Sequence, residues 1–536
     1  MRPILKNKFY LYLTEFFAGM SVMAVELGAS RLLAPYFSSS QIVWTIIIGT
    51  IMIAMALGNV YGGRMADKDP NPDKLYRRIL IAAVWIALIP AAGKYVILGI
   101  SALLIFTVNT NYLIWAAFAA CMVIFVFPLF LLGTVTPSLA KYTMENLEDN
   151  ARIVGTLGAA NTIGSIIGTF VPTFVTIPAV GTSITFLIFS GILLLLALLY
   201  FFSGKGKKGG AIAAILLFVL SSVLGWRSNF AFWKTDLRYE GESVYNYLQV
   251  EETEDSVILS TNVLFGVQSI LPKNSRFTGM YYDYAMAAPF LAGAAEKQAA
   301  GEELDLLVLG MGSGTYGSQC AAYLPGLNVE GVEIDRKITD LAREYFAMPA
   351  DLPVAEYDGR AFLNAVDRKY DVIMVDAYQD ITIPFQMASV EFFTLVREHL
   401  KDGGVMVVNM NMRGTQEGNI NQYLADTISA VFSQVWTVDV PRNTNRELFA
   451  SNDPEMLERL SRNIALLEDG ELRGLLGRVS QGLTRYEAGP YLMTDDKAPV
   501  ELLSMQVIDE LIRDEVAYYK GVYEQYGLEG LVASVQ

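Results

Sequence analysis

The stretch that decides the fold of the C-terminal half is LDLLVLGMGSGTYGSQCAAYLPGLNVEGVEID, residues 304–335. It begins with a short apolar run, Leu304–Leu309, typical of a buried parallel strand, and continues through a glycine-dense turn, Gly310–Gly317. A helical stretch follows, and then a second apolar strand that ends at Glu333 and Asp335. Such a unit places backbone N–H groups and a helix N-terminus against a nucleoside-bearing ligand, and the acid can accept from ribose hydroxyls.

A strongly apolar half precedes this unit. The chain has 536 residues, of which 53% are hydrophobic and 18% charged, a composition too apolar for a soluble protein of this size. The apolar excess ends near Trp226, beyond which charged residues return at an ordinary frequency. We therefore predict a transmembrane helical domain over residues 1–227 with six to seven spans, a small β domain and gate helix over 228–290, and an α/β domain over 291–536.

Seven apolar segments are candidate membrane spans, since a helix needs about 20 residues to cross about 30 Å of hydrocarbon. They are Phe9–Tyr36, Gln41–Met65, Ile79–Phe106, Tyr112–Leu139, Val154–Ile177, Ile184–Phe202 and Ala211–Trp226. The seventh is at the short limit and could span, re-enter or lie in the interface. Lysine and arginine flank alternate segments, which places the N-terminus in the cytoplasm. Six spans return the chain to that side, where nucleoside cofactors are made, whereas a seventh would put the C-terminal half outside.

Polar and small residues within these segments carry two further predictions. Glu15 and Glu26 are eleven residues apart, about three helical turns, and so share one face of the first helix. They either form a polar path for a cation, or Glu15 is interfacial and Glu26 pairs with another helix. Gly164 and Gly168 form a GxxxG pattern for close helix packing, and Asn161 is predicted to hydrogen-bond between helices.

Charge and residue counts exclude several classes of function. The net charge of −15 argues against a nucleic-acid partner, which needs a basic face, and is compatible with a cationic substrate. The chain has two cysteines, Cys121 and Cys320, and one histidine, His399, so no disulfide framework or metal-ligand spacing exists and we predict no metal. His399 ends an amphipathic stretch and is predicted to be a helix C-terminal surface residue, not a catalyst.

Period-2 and strand–helix patterns predict the rest of the C-terminal half. Glu242–Ile270 alternates polar and apolar residues and indicates a small antiparallel β unit. Phe277–Leu291 predicts a helix. Beyond it, strands and helices alternate, which indicates a doubly wound parallel sheet. The predicted strands are Leu304–Leu309, Val329–Glu333, Val354–Tyr357, Val372–Val375 and Val405–Asn409.

Three acidic residues follow three successive predicted strands: Glu333, Asp358 and Asp376. Ligands of such sheets bind at the carboxyl ends of the strands, and a carboxylate there costs stability unless something binds it. Gly312 and Gly314 also fit the GxGxxG pattern of nicotinamide enzymes, but no residue pattern offers a hydride-transfer partner. Asp358 suits an adenine amino group and Asp376 suits an amine or a sulfonium, which favours an S-adenosylmethionine-type ligand.

Taken together, these motifs resemble the spermidine synthase (polyamine aminopropyltransferase) family, in the branch fused to a membrane domain. The resemblance to the synthase covers about Gly241 to Leu503. It rests on the glycine loop and on VEID (332–335), DGRAFL (358–363) and YDVIMVDAY (370–378), and for the fused branch on ELGASRLLAPYF (26–37), ALGNVYGGRMAD (56–67), TGMYYDYAMAAP (278–289) and TDDKAPVELL (494–503). The implied fold is a multi-pass α-helical membrane bundle followed by a small antiparallel β unit and a doubly wound, methyltransferase-like Rossmann domain.

The resemblance implies an activity as well. Members transfer a 3-aminopropyl group from decarboxylated S-adenosylmethionine to an amine such as putrescine and release 5′-methylthioadenosine, without a metal. For this chain it implies a transferase of polyamine biosynthesis in the cell membrane, with its enzyme domain in the cytoplasm. The implied partners are the lipid bilayer and a small cationic amine, with a possible homodimer.

The resemblance also assigns roles to residues. Asp376 matches the general base. The expected donor-binding residues are Asn246, Gly310, Gly312, Ser313, Gly314, Glu333, Asp335, Asp358 and Gly359. The expected amine-site residues are Gln268, Tyr281, Tyr282, Asp283, Tyr378 and Gln379.

Two positions depart from the family pattern. Soluble synthases carry Asp where this chain has Ser313, and a second Asp three residues after the base, where this chain has Gln379. The donor could therefore be intact S-adenosylmethionine, and the acceptor another amine. A methyl or 3-amino-3-carboxypropyl transferase stays open, as do a transporter or sensor that binds a nucleoside or polyamine, and a nicotinamide enzyme.

Overall fold

The chain folds into two compact units. The structure, a computed structural model, describes residues 3–535 except 106, 109–110, 144–149, 205–207, 228, 264–266, 379–382 and 412. The first unit comprises Met1–Lys234, Glu240–Tyr247 and Asn262–Leu264, and the second Thr235–Tyr239, Leu248–Thr261 and Phe265–Gln536. The domain borders predicted above, 1–227, 228–290 and 291–536, stay predictions.

The first unit is helical. Its helices are α1 (Lys8–Phe37), α2 (Gln41–Lys68), α3 (Pro72–Leu104), α4 (Tyr112–Ile124), α5 (Val126–Gly133), α6 (Val135–Thr143), α7 (Asn150–Val171), α8 (Ile177–Phe202) and α9 (Gly209–Leu224). A π-helical turn, Pro172–Thr176, joins α7 to α8, and a 3-10 turn, Pro3–Lys6, precedes α1. The first unit therefore follows the apolar segments that the sequence indicated.

Several of these helices have the length and composition of membrane spans. Among the described residues four helical runs qualify, Lys8–Phe37, Gln41–Lys68, Pro72–Leu104 and Asn150–Phe202, or five if the pair Tyr112–Ile124 and Val126–Thr143, bent by 50°, counts as one. The fifth and sixth predicted spans both fall within Asn150–Phe202, which is interrupted at Gly181 (φ 80°, ψ 170°). The seventh predicted segment is α9, whose 16 residues extend about 24 Å.

The contact between α1 and α7 depends on small residues. A Cβ at Gly164 would lie 2.0 Å from the carbonyl oxygen of Phe16, and Gly168 is equally crowded by the next turn of α1. This confirms the predicted GxxxG packing. Asn161 Nδ2 donates to Glu15 Oε1 at 2.8 Å, as predicted for an interhelical residue, and Glu15 is fully buried.

A small four-stranded sheet precedes the glycine loop in the chain. Its strands are β1 (Leu237–Glu242), β2 (Tyr247–Glu252), β3 (Ser256–Ser260) and β4 (Ser269–Pro272), in the order β1-β2-β3-β4. β3 pairs antiparallel with both β2 and β4. The predicted antiparallel β unit is thereby confirmed.

The second unit is built on an eight-stranded sheet. The strands are β5 (Leu304–Leu309), β6 (Leu327–Val332), β7 (Val354–Ala355), β8 (Tyr370–Val375), β9 (Leu400–Met410), β10 (Gln434–Asp439), β11 (Arg446–Ser451) and β12 (Thr484–Arg485), in the order β12-β10-β11-β9-β8-β5-β6-β7. From β7 to β9 the sheet is parallel, as predicted. The antiparallel strands β10, β11 and β12 extend it beyond β9 and were not predicted. β5 and β8 are neighbours, but the chain continues from β5 to β6 on one side and from β8 to β9 on the other. Ligands of such sheets bind at the carboxyl ends of the two strands where the order reverses.

Helices cover both faces of this sheet, in keeping with a doubly wound fold. They are α10 (Tyr281–Ala285), α11 (Ala287–Leu291), α12 (Ala294–Ala300), α13 (Thr315–Tyr323), α14 (Arg336–Tyr345), α15 (Gly359–Ala365), α16 (Val390–Glu398), α17 (Ile420–Ser429), α18 (Met456–Leu466), α19 (Gly470–Gly482) and α20 (Val500–Val535). The helix predicted over Phe277–Leu291 is observed as α10 and α11. It begins only at Tyr281 because Asp283 accepts from the N–H groups of residues 278 and 279 and holds them as a loop. His399 caps the end of α16, as predicted, with Nδ1 2.8 Å from the carbonyl oxygen of Leu395.

Candidate active site

The glycine loop joins β5 to α13 and lies against the end of β8. Gly310, Gly312 and Gly314 have positive φ angles of 86°, 55° and 79°, a region that glycine adopts without strain. A Cβ at Gly310 would lie 2.5 Å from the carbonyl oxygen of Asp376. Glycine at 310 is therefore what lets the two strand ends come together.

Glu333 is held at the end of β6 by backbone donors. Its Oε2 accepts from the N–H of Gly312 and its Oε1 from the N–H of Asp335, each at 3.0 Å. Burial raises the pKa of Glu333 to about 7, although these two hydrogen bonds act in the opposite direction. Each oxygen accepts one of these backbone hydrogen bonds, so the carboxylate retains lone pairs for hydroxyl donors.

Ser313 is buried beneath the loop. Its hydroxyl lies 2.8 Å from Thr315 Oγ1, and Thr315 Oγ1 donates to the carbonyl of Ile270 in β4 at 2.9 Å. The N–H of Ser313 donates to Ser269 Oγ at 3.3 Å. These contacts tie the glycine loop to β4 and give the Ser313 hydroxyl a structural partner.

Two of the predicted donor-binding acids cap helices. Asp335 Oδ1 accepts from the N–H of Lys337 at the start of α14, and Asp358 Oδ1 accepts from the N–H of Ala361 at the start of α15. Such N-caps are a common use of aspartate. Gly359 follows directly, and a Cβ there would lie 3.2 Å from the methyl carbon of Met387. The donor-binding roles of these residues stay predictions.

Asp376 is the first residue after β8, at the carboxyl edge of the sheet. Tyr281 donates its hydroxyl to Asp376 Oδ2 at 2.6 Å, and Asn409 Nδ2 donates to Oδ1 at 2.9 Å. Burial raises the pKa of Asp376 to about 7, while both hydrogen bonds favour the ionised form. A carboxyl poised near neutrality can take up a proton at physiological pH.

The tyrosines of α10 form a buried wall beside this carboxyl. The rings of Tyr281 and Tyr282 lie 4.0 Å apart, and Tyr282 donates to the carbonyl of Gln268 at 2.8 Å. Burial raises the pKa of both hydroxyls, so they are neutral donors. Asp283 faces away from the wall and binds Gln319 Nε2 at 2.7 Å as well as the 278–279 loop.

A polar row continues from Asp376 through Asn409, Asn445 and Glu447, none of which the sequence predicted as a site residue, and the predicted residue Tyr378 contacts it. Asn409 Oδ1 accepts from Asn445 Nδ2 at 2.7 Å, and Tyr378 donates its hydroxyl to the carbonyl of Asn409. Glu447 is the cross-strand neighbour of Asn409. The available signal for Asn409 was a polar residue inside an otherwise apolar run, VVNM, whereas Glu447 follows the polar residues Asn445 and Arg446 and gave no such signal.

Two predicted site residues, Gln379 and Asn246, do not belong to the contacts described above. Gln379 falls outside the described residues. Asn246 lies in the turn between β1 and β2, in the first unit, where its N–H donates to Ser243 Oγ at 2.9 Å. The predicted binding roles of Gln379 and Asn246 stay predictions. Within the described part of the chain, no group of three or more His, Cys, Asp or Glu side chains could hold a metal ion.

A glycine loop, an acid after the next strand and a carboxyl of raised pKa after β8 are typical of an enzyme that binds a nucleoside-bearing ligand. Residues 297–446 match the spermine/spermidine synthase domain. A probable polyamine aminopropyl transferase of Bifidobacterium longum is 49% identical over 356 residues, which cover 63% of this chain and 78% of that protein. The chain belongs to the polyamine aminopropyltransferase (spermidine synthase) family and is an enzyme of that class.

Two more matches have lower identity. The polyamine aminopropyltransferase of Vibrio vulnificus is 25% identical over 287 residues, or 52% of this chain and 90% of that protein. A crystal structure of a probable spermidine synthase from Corynebacterium glutamicum is 20% identical, covers 47% of this chain and 97% of that one, and superimposes with a TM-score of 0.34.

Proposed function

We propose that this protein is a membrane-bound enzyme that moves a 3-aminopropyl group from decarboxylated S-adenosylmethionine to a small diamine such as putrescine, releasing 5′-methylthioadenosine. One observation carries the proposal. The partly buried carboxyl of Asp376 lies at the carboxyl end of β8, against the glycine loop, and is oriented by hydrogen bonds from Tyr281 and Asn409.

The donor side of the site fits a nucleoside. Glu333 has lone pairs left to accept from ribose hydroxyls, and the positive φ angles of the glycine loop let backbone approach the ligand closely. Asp358 and Gly359 lie beyond the next strand and are assigned to the adenine end. The glycine loop and the end of β8 are adjacent at Gly310. A donor bound along the loop, with its ribose at Glu333, would therefore have its sulfonium next to Asp376.

The acceptor must lose a proton before it reacts. An alkyl amine with a pKa near 10 is protonated at neutral pH and has no lone pair to donate. Asp376 binds the ammonium and takes its proton, and burial of the site lowers the pKa of the amine toward that of the carboxyl.

Group transfer follows from this alignment. The amine lone pair attacks the methylene carbon next to the sulfonium, a C–N bond forms, and the C–S bond breaks. The bonding pair goes to sulfur, which leaves as a neutral thioether. Positioning of amine, methylene and sulfur in line supplies several kcal/mol of the rate enhancement.

The first unit is proposed to anchor the enzyme in the cell membrane, with the second unit in the cytoplasm. Support comes from the four or five helical runs of spanning length, from the shortness of α9, and from the alternation of positively charged loops. Protease treatment of spheroplasts and of inverted vesicles tests this orientation: cleavage of the second unit only in inverted vesicles is expected. The proposed homodimer is tested by light scattering in detergent.

A second candidate reaction is 3-amino-3-carboxypropyl transfer from intact S-adenosylmethionine. The observation that favours it is Ser313, whose hydroxyl pairs with Thr315 inside the loop. Without a carboxylate at that position, nothing in the loop repels the carboxylate of the intact donor.

Product analysis separates these reactions. Purified full-length protein in detergent is given either donor with a panel of amines, and products are identified by mass spectrometry. The proposal predicts methylthioadenosine and an amine heavier by one aminopropyl unit, from the decarboxylated donor. Carboxypropylated amine from intact donor alone would establish the second candidate, and S-adenosylhomocysteine would show a methyltransferase.

A further inference from the structure

Glu447 is a fully buried acid in the second unit. It lies in β11 with an exposed fraction of 0%. Neither of its carboxyl oxygens has a hydrogen-bond partner within the described part of the chain. Buried polar groups are nearly always paired, because an unpaired one costs free energy. An acid kept at such a cost requires an explanation.

Sheet register places Glu447 in one row with the proposed catalytic base. Glu447 is directly opposite Asn409 in the β9–β11 pair, and directly opposed residues point to the same face. Val375 and Val408 are paired between β8 and β9, so Asp376 is beside Asn409. Neighbouring strands are about 4.8 Å apart, so the backbones of Asp376 and Glu447 are about 10 Å apart, with Asn409 between them.

Side-chain contacts confirm that this row occupies one face. Asn409 binds Asp376 on one side and Asn445 on the other. Asn445 directly precedes β11 and is two residues before Glu447, and residues two apart in extended backbone share a face. The carboxyl of Glu447 therefore points to the same side of the sheet as that of Asp376.

The surroundings of Glu447 contain neutral hydroxyls that are already engaged. Tyr282 donates to the carbonyl of Gln268, and Tyr316 donates to the carbonyl of Ala285 at 3.1 Å. Burial, and then the charge of Asp376, raise the pKa of Glu447 well above its ordinary value. Among the described residues no lysine or arginine pairs with Glu447, and the rings of the neighbouring tyrosines are suitable contacts for a cation.

We propose that Glu447 is the second anchor of the acceptor site and binds the far ammonium group of a short α,ω-diamine whose near amine lies at Asp376. The inference rests on the proposed function and adds to it a residue that selects diamines over monoamines. Two carboxyls at the ends of one row match the two charges of such a substrate, and Asn409 and the tyrosine rings lie along its methylene chain. Aminopropyl transfer at Asp376 leaves the far ammonium in place.

The test compares a matched pair of acceptors, 1,4-diaminobutane and butylamine, which differ by one amine. In Glu447→Gln, kcat/KM for the diamine is expected to fall at least tenfold, mainly through KM, while that for butylamine changes less than twofold. Glu398→Gln, which removes one exposed acid at the end of α16, is the charge control. An unchanged diamine-to-monoamine ratio in Glu447→Gln would overturn the inference.

A second variant, Glu447→Leu, separates a loss of diamine binding from a loss of folding. In Glu447→Leu no hydrogen bond is lost and a buried polar group is removed, so the thermal midpoint is expected to equal or exceed that of the unmodified protein. The same variant should lose the preference for the diamine. A stable Glu447→Leu protein that retains the preference contradicts the proposal.

Calorimetry distinguishes failure of the proposed reaction from failure of the proposed role of Glu447. If the unmodified protein transfers no aminopropyl group to either amine, binding of 1,4-diaminobutane in the presence of methylthioadenosine is measured directly. Binding that Glu447→Gln weakens tenfold supports the anchor without the reaction. Equal binding by both proteins refutes the anchor.

Discussion

Replacing Tyr281 with Phe should move the acidic limb of the rate–pH profile to higher pH. The Tyr281 hydroxyl donates to Asp376 Oδ2 at 2.6 Å and stabilises its ionised form. A hydrogen bond to a charged group contributes about 1.5 to 3 kcal/mol, and water that enters the vacated space replaces part of it. We take the lower figure, which corresponds to about one pKa unit. The pKa of Asp376, about 7 in the unmodified protein, should rise by that amount.

The assay is kcat/KM for the amine between pH 5.5 and about pH 9, because this parameter reports the ionisation of the free enzyme. Tyr282→Phe is the matched control, since its hydroxyl binds the carbonyl of Gln268 and not Asp376. The acidic limb of the profile should move to higher pH in Tyr281→Phe. In Tyr282→Phe it should stay within a few tenths of a pH unit of its position in the unmodified protein. An equal shift in both variants, or a shift to lower pH in Tyr281→Phe, refutes the reasoning.

Three further predictions concern stability and donor binding. Gly310→Ala should weaken donor binding at least tenfold in calorimetry, since its φ is 86° and a Cβ would lie 2.5 Å from the carbonyl of Asp376; unchanged affinity would contradict the close approach. Asp371→Asn should lower the free energy of unfolding by about 3 to 5 kcal/mol in denaturant, because this buried carboxylate pairs with Lys297 and Lys401; a loss under about 1 kcal/mol is incompatible with that pairing. Glu333 and Asp376 have pKa values of about 7, above their values in the unfolded chain, so the folded protein holds more protons between about pH 4.5 and 7. Unfolding free energy of the ligand-free protein should therefore rise as pH falls from 8 to 5, and Glu333→Gln should flatten this rise; a fall over that window contradicts it.

The parallel core of the sheet could be predicted from the sequence because most of its strands contain a short apolar run that ends at glycine or an acid. β5 was predicted with its observed limits, and β8 is buried at every position. The β10–β11 hairpin escaped prediction because its strands, QVWTVD and RELFAS, carry charged and polar residues on both faces and so lack a clear period-2 pattern. Its place in the sheet comes from antiparallel pairing with β9, a long-range contact that no local pattern encodes.

The candidate site was predictable where function follows from a strand end. Glu333 and Asp376 follow β6 and β8, and both are acids of raised pKa at the carboxyl edge. The row formed by Asn409 and Glu447 could not be predicted, because it depends on the register between β9 and β11. The role of Asp358 cannot be assigned from the sequence alone, because an aspartate before a helix serves equally as an N-cap. The structure shows that capping hydrogen bond.

The central claim is that Asp376 accepts the proton of the amine in aminopropyl transfer. The direct measurement is a single turnover of enzyme-bound decarboxylated S-adenosylmethionine with 1,4-diaminobutane, quenched and quantified as methylthioadenosine, in the unmodified protein and in Asp376→Asn. The account predicts a rate constant lower by about 10² to 10⁴-fold in the variant, with affinity for methylthioadenosine within about threefold. Methylthioadenosine released by Asp376→Asn at an unchanged rate would contradict the account.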